Sequence, residues 1–235
     1  PFMRKKRFIY TLAAVLLMCS AAGVGAGCGK SSPALLDSFG THLDTLMTSK
    51  DKLSKMDGAA ADLCVIENED GFSENDIEAP AGALFNITDQ KTLYSKNAND
   101  EREIASITKI MTALLAMKYA DLSQEVTISY TPEGLESSAV LCGFEQGDKM
   151  MLSSLLSAAL IYSGNDAAID IAIAVAGSQE AFVDMMNQES KELMTSHTHF
   201  ANPTGLTQSK HYSSVYDVYL MFQECLKYPT FRDII

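Results

Sequence analysis

The chain is short of basic residues, cysteine and histidine, and each shortage closes off a class of function. Eighteen Lys and Arg stand against 30 Asp and Glu, a net charge of −12 over 235 residues. All four charges in the first 29 residues are basic (Arg4, Lys5, Lys6, Arg7). The remainder therefore holds 14 basic and 30 acidic residues, a net of −16. Nucleic acid is excluded as a partner on that balance, because phosphate binding needs clustered positive charge. Five cysteines occur with no Cys-x-x-Cys, which excludes zinc ribbons and dithiol redox motifs. Four histidines include the pair His197 and His199 but no His-Glu-x-x-His, so no metal site is expected, and nothing calls for a cofactor. His42 and His211 have no neighbours that suggest a Ser-His-Asp triad. Gly29-Lys30-Ser31 looks like the end of a P-loop, but the first glycine that motif requires would fall at Val24.

No apolar run near the N-terminus is long enough for a confident membrane span. The run from Phe8 to Met18 after Arg4–Arg7 instead has the charged and apolar regions of a secretory signal over residues 1–29. Two exits from it are open: cleavage after Ala26, or lipid attachment at Cys28 in Gly25-Ala26-Gly27-Cys28. The protein is accordingly expected outside the cytoplasm, secreted or held on the outer face of the cytoplasmic membrane. Residues 30–80 read as stalk and linker. Leu35, Leu36, Phe39, Leu43, Leu46 and Leu53 recur at helical spacing within an amphipathic segment from Ser32 to Met56, and the acidic, polar stretch from Glu67 to Glu78 follows.

What is present is Ser106-Ile107-Thr108-Lys109. Three helical residues turn about 300°, so serine and lysine share a face one turn apart. From Ala105 to Met117 the only charged side chain is Lys109, among Ile107, Ile110, Met111, Leu114, Leu115 and Met117. Burial in such a helix favours the neutral amine, and a neutral lysine beside a serine is a general base beside a nucleophile. The pattern is cheap, since Ser49-Lys50-Asp51-Lys52 also fits it, but that copy lies in a lysine-rich, solvated stretch. The plain alternative for Lys109 is a core helix whose lysine snorkels outward.

A second polar cluster, Ser163-Gly164-Asn165, lies between two apolar runs, Met151–Tyr162 and Asp166–Ala176. Gly164 is expected to let the chain turn tightly, so that both polar side chains project into one cleft. The plain alternative is that Ser163, Asn165 or Asp166 caps the second helix. Ser73-Glu74-Asn75 and Ser95-Lys96-Asn97 share the spacing without the flanking helices. The remaining pattern predicts a strand pair over 82–97 and helices near 104–118, 151–162, 166–176, 178–194 and 213–226. That is an α+β arrangement, a helical subdomain joined to the start of an antiparallel sheet.

In this order the motifs resemble those of the serine-type D-alanyl-D-alanine carboxypeptidases, the low-molecular-mass penicillin-binding proteins. Ala105 to Leu114 is similar to their active-site helix and Ser163 to Ala168 to their second motif. Leu93-Tyr94-Ser95-Lys96-Asn97, Phe200 to Leu206 and His211-Tyr212-Ser213-Ser214 follow further landmarks, from about residue 82 to 220. Thr204 stands where many members have histidine. The resemblance implies a β-lactamase/transpeptidase-like fold over 81–235 and roles for four side chains: Ser106 as nucleophile, Lys109 as general base, Ser163 as proton relay and Asn165 in substrate binding. It implies as partners a peptidoglycan stem peptide ending in D-Ala-D-Ala and β-lactams, with the membrane reached through the signal or a lipid at Cys28.

The family's third element, Lys-Thr-Gly, is absent. With it would go one oxyanion donor and the clamp on the substrate carboxylate, so the sequence is expected to be the N-terminal part of such a domain, with little or no peptidase activity by itself. A class A β-lactamase is disfavoured because no Glu-x-x-Leu-Asn follows Asn165. A non-catalytic envelope lipoprotein retaining the fold and an endopeptidase with the same residues remain as alternatives.

Overall fold

The computed structural model describes residues 63–66, 77–129, 135, 137 and 139–235, which fall into two units divided between Ala98 and Asn99. The signal, Cys28, the helix of Ser32–Met56, the Ser49 tetrad and most of the linker lie outside the described residues.

In the first unit, β1 (Gly82–Asn86) and β2 (Lys91–Lys96) pair antiparallel, with a register shift between Leu84 and Phe85. Asn86 closes the turn by accepting from the amides of Thr88 and Asp89, the local bond that makes asparagine a turn residue. A bridge from Val65 to Lys91 and the bond from Thr92 Oγ1 to the Val65 carbonyl (2.9 Å) hold an earlier segment beside β2. This is the strand pair expected over 82–97.

The second unit is built around one helix. A 3-10 turn (Ala105–Thr108) leads into α1 (Lys109–Tyr119). Met111, Ala113, Leu114, Leu115 and Ala116 are all buried on it, because the sequence is apolar on every side and must be covered all round. The cover comes from α2 (Leu152–Ile161), α3 (Asn165–Ala176), α4 (Gln179–Glu192) and α5 (Val215–Cys225), each of which contacts α1. A short α6 (Pro229–Ile234), with proline in its first turn, packs on α2. The five longer helices fall where the sequence pattern places them, within two residues except at the nucleophile end, where α1 proper starts at Lys109. Ser178 caps α4 and Ser214 caps α5 through their side chains, and Gly177 ends α3 at φ 82°.

A second antiparallel pair, β3 (Glu125–Thr127) with β4 (Lys149–Met151), was not predicted. Each strand has three residues, with exposed ends and a half-buried centre, too short for a hydrophobic alternation to register. β4 runs straight into α2, so the pair fixes where α2 begins and therefore where Ser163, just beyond its end, emerges. No helix among the described residues is long and apolar enough to cross a membrane.

Candidate active site

Lys109 opens α1 and is 2 % exposed, so its side chain does not snorkel to solvent. Four oxygens surround its Nζ, drawn from three parts of the second unit. Nζ donates to the Thr204 carbonyl (2.8 Å) and to Asn165 Oδ1 (2.9 Å), and it lies 3.2 Å from Ser106 Oγ and 3.4 Å from Ser163 Oγ. Ser106 is exposed and Ser163 half-buried, whereas Asn165 is buried. The serine–lysine contact follows from one helical turn of spacing. Ser163 and Asn165 arrive because α3 packs on α1.

Burial strips water from the ammonium and brings the Lys109 pKa down to about 8, with Cys142 and the Asp166 carboxylate acting in the opposite direction. A lysine at that value supplies a useful neutral fraction near neutral pH. The hydrogen-bond inventory then sets its direction. A neutral amine has two N–H groups and one lone pair. The amide oxygens of Asn165 and Thr204 can only accept, and they are the two nearest. Both N–H groups are taken there, and the lone pair is left for the serine hydroxyls.

The turn at Ser163 is made differently from the expectation. Gly164 has ordinary angles (φ −60°, ψ 121°), and the left-handed residue is Ser163 at φ 63°. Glycine is required at 164 for space, since a Cβ there would sit 2.3 Å from Cys142 Sγ and 2.9 Å from Asp166 Oδ1. Gly164 is the N-cap residue of α3 and has no side-chain cap bond, while Asp166 Oδ1 accepts from the Ala167 amide in the first turn (2.9 Å), so of Ser163, Asn165 and Asp166 only Asp166 serves the start of the helix. Asp166 also accepts from the amides of Cys142 and Gly143, both at 3.0 Å, while Asn165 donates to the Val140 carbonyl from its amide (2.9 Å) and from Nδ2 (3.1 Å). Segment 140–143 is thereby tied to the first turn of α3. Burial pushes the Cys142 thiol up to about 11, so it is protonated at neutral pH.

On the other side of α1, the Pro203 carbonyl accepts from Thr112 Oγ1 (2.7 Å) and the Thr204 carbonyl from Lys109. Gly205 is left-handed (φ 87°), and a Cβ there would lie 1.8 Å from the Ala105 carbonyl oxygen. The 203–205 turn is therefore pressed against the residue preceding the nucleophile. His211, buried, fixes the same region. The Ala201 amide donates to its Nδ1 (3.0 Å), which places the ring proton on Nε2, 2.7 Å from Thr108 Oγ1. Burial and the neighbouring His199 lower its pKa to about 4, so the ring is a neutral strut with no bond to Ser106. Of the other histidines, His197 Nδ1 pairs with Ser196 Oγ (2.9 Å) and His199 Nδ1 with the Lys210 carbonyl (2.6 Å).

All four residues named from sequence thus meet at one nitrogen. Sequence reading missed the Thr204 carbonyl, the Asp166 contacts and the His211–Thr108 pair. Asn202-Pro203 followed by Gly205 is a turn signature that flags the first, and two carboxylates one turn apart on an apolar helix, Asp166 and Asp170, announce buried acceptors. Nothing in the sequence pairs Thr108 with His211.

Comparison with known proteins adds a family to this geometry. The family model described as D-alanyl-D-alanine carboxypeptidase matches residues 68–234. D-alanyl-D-alanine carboxypeptidase DacF of Bacillus subtilis is 40% identical over 158 residues, which is 65% of this chain and 40% of that protein. The Streptomyces K15 DD-transpeptidase structure aligns with a TM-score of 0.64 at 29% identity, covering 68% of this chain and 64% of the other. Penicillin binding protein 6B of Escherichia coli aligns at 0.59 and 26%, covering 62% and 50%. The chain spans less than half the length of DacF.

Proposed function

Because the chain belongs to the D-alanyl-D-alanine carboxypeptidase family, we propose that the protein removes the terminal D-alanine from peptidoglycan stem peptides through an acyl-enzyme on Ser106. The observation that carries this reading is the Lys109 amine. It is buried and lowered to about 8, holds two carbonyls with its N–H groups, and lies 3.2 Å from Ser106 Oγ.

Neutral Lys109 takes the proton of Ser106 as Oγ attacks the carbonyl of the penultimate D-alanine. The oxygen of the tetrahedral intermediate is met by the Ser106 N–H, an amide at the start of a helical segment, where intrahelical acceptors are lacking. Ser163, 3.4 Å from Nζ, passes the proton to the departing D-alanine nitrogen. Water then cleaves the ester, with Lys109 again as base. Asn165, buried, holds the lysine through Oδ1 and donates to the Val140 carbonyl through Nδ2, which leaves its second Nδ2 N–H for the substrate's backbone. A β-lactam presents a comparable carbonyl and carboxylate, so it would acylate Ser106 and leave slowly. The carboxylate clamp and the second oxyanion donor belong to the Lys-Thr-Gly element, which these 235 residues do not contain.

The substrate places the enzyme on the outer side of the cytoplasmic membrane. The basic and apolar start of the sequence supports export, and the domain takes in residues before 81, since Val65 already bridges to β2. Cys28 offers a lipid anchor. Labelling with a fluorescent penicillin tests the catalytic reading. Ser106 should take the label, and labelling that persists in Ser106→Ala would remove it as nucleophile.

A further inference from the structure

The Thr204 carbonyl is one of the two acceptors that direct the Lys109 amine, and the turn presenting it is organised by one side chain. Asn202 Oδ1 accepts three hydrogen bonds: from the Gly205 amide (2.7 Å), Thr204 Oγ1 (2.9 Å) and the Thr204 amide (3.1 Å). Its Nδ2 donates to the Leu206 carbonyl (2.9 Å) and Gln208 Oε1 (3.1 Å). The orientation of the amide is fixed by these partners, since a flipped group would face NH₂ toward two backbone N–H donors. Every polar valence of the Asn202 side chain is spent on residues 204–208. The turn it forms delivers two successive carbonyls to α1, Pro203 O to Thr112 and Thr204 O to Lys109.

From this geometry we infer that Asn202 is a positioning residue for the general base: by fixing the Thr204 carbonyl on Nζ, it holds the lysine lone pair on the serine hydroxyls. The inference rests on the reading of Ser106 and Lys109 as nucleophile and base. Without the carbonyl, one N–H of the neutral amine is released, and the amine can rotate so that its lone pair leaves Ser106. The ammonium loses the same acceptor. The charged group acting on the lysine, the Asp166 carboxylate, is held by the amides of Cys142 and Gly143 and makes no bond to the 202–208 turn.

The test is a titration of the Lys109 side chain by NMR in the 235-residue chain with ¹³C-labelled lysine, the signal assigned with Lys109→Met. The wild-type midpoint is expected near 8. Asn202→Ala should lower it by about one pH unit, the size expected for one hydrogen bond to a charged group. Asn202→Ser, whose hydroxyl oxygen still accepts from one amide, should give a smaller shift in the same direction. Acylation of Ser106 by fluorescent penicillin should slow about ten- to a hundredfold in Asn202→Ala and less in Asn202→Ser. A midpoint that stays put or rises in a folded variant overturns the inference. So does failure of both variants to fold, which would make Asn202 a residue of the turn alone. The parent reading fails by a separate route, through labelling that survives Ser106→Ala, and the lysine titration does not depend on that result.

Discussion

If Lys109 in its neutral form is the base for Ser106, acylation must follow its deprotonation, and its buried position fixes where that happens. A lysine in water titrates at 10.5, whereas Lys109 is brought to about 8 by burial among α1, α3 and the 203–205 turn. With a midpoint of 8 the neutral fraction is about 1% at pH 6, about 9% at pH 7, about half at pH 8 and about 91% at pH 9. The second-order rate of acylation should therefore rise about ninefold from pH 6 to 7, about fivefold from 7 to 8, and less than about twofold from 8 to 9. The assay is the rate of fluorescent-penicillin labelling at subsaturating concentration, at constant ionic strength, with Ser106→Ala as blank. A profile flat between pH 6 and 9 would refute the argument. A midpoint near 10.5 would mean that the amine is solvated and the packing around it wrong. A midpoint near 6.5 would indicate an ordinary histidine, and His211 cannot supply one while it is held at about 4 with both ring nitrogens occupied.

Gly205→Ala should abolish labelling and cost about 3 kcal/mol or more in urea unfolding, because its Cβ would fall 1.8 Å from the Ala105 carbonyl at φ 87°; near-normal labelling would show that this backbone contact does not hold Ser106. His211 makes stability depend on acid. Its folded pKa, about 4 against the ordinary histidine value of 6.5, means the unfolded chain protonates first. The contribution is complete above pH 6.5 and declines as pH falls toward 4, by roughly 3 kcal/mol at most; Tm between pH 7 and 4 should fall less in His211→Gln than in the wild type. Glu189, buried, accepts from Lys118 Nζ at 2.8 and 2.9 Å and from Tyr119 Oη at 3.2 Å, joining the end of α1 to α4. Glu189→Gln should lose about 1–3 kcal/mol, and an unchanged urea midpoint would place the pair in solvent. Finally, without a Lys-Thr-Gly element the 235-residue chain should hydrolyse a D-Ala-D-Ala peptide at least about a hundredfold more slowly than a relative that has one, and a normal rate would show that the element is dispensable.

The parts of the site legible in the sequence are those that depend on neighbours along the chain. Ser106 and Lys109 share a face because of helical periodicity, and an apolar helix predicts that the lysine is desolvated. Ser163 and Asn165 were located by the apolar runs on either side of them. What the sequence could not supply was the far side of Lys109. The Thr204 carbonyl lies 95 positions away, and a backbone oxygen has no residue signature. β3 and β4 escaped because three-residue strands carry no period, and α6 because six residues make fewer than two turns. Gly164 was misread for a different reason. A glycine before a helix has two explanations, conformational freedom and lack of a side chain, and it is the fold that sets Cys142 in the place a Cβ would take.

The residues that break local preferences locate the site by a second, independent route. Among the described residues six non-glycine residues adopt positive φ; Gln90, Asn97, Met194 and Lys210 lie in turns or connections away from the site, while Ala105 (44°) and Ser163 (63°) immediately precede Ser106 and Gly164. Each left-handed residue costs about 1–2 kcal/mol, and burying Lys109 at a pKa of about 8 adds on the order of 3 kcal/mol at neutral pH. Such costs persist only where the surroundings over-determine the conformation. Ala105 is pinned by Gly205, and Ser163 stands between the end of α2 and an asparagine bonded twice to Val140. Ser106, Lys109 and Ser163 are thus held by rigid neighbours on both sides and need little reorganisation when a carbonyl arrives. By the same rigidity, substitutions at Gly164, Gly205 and Asn202 should be costly although these residues carry none of the chemistry themselves.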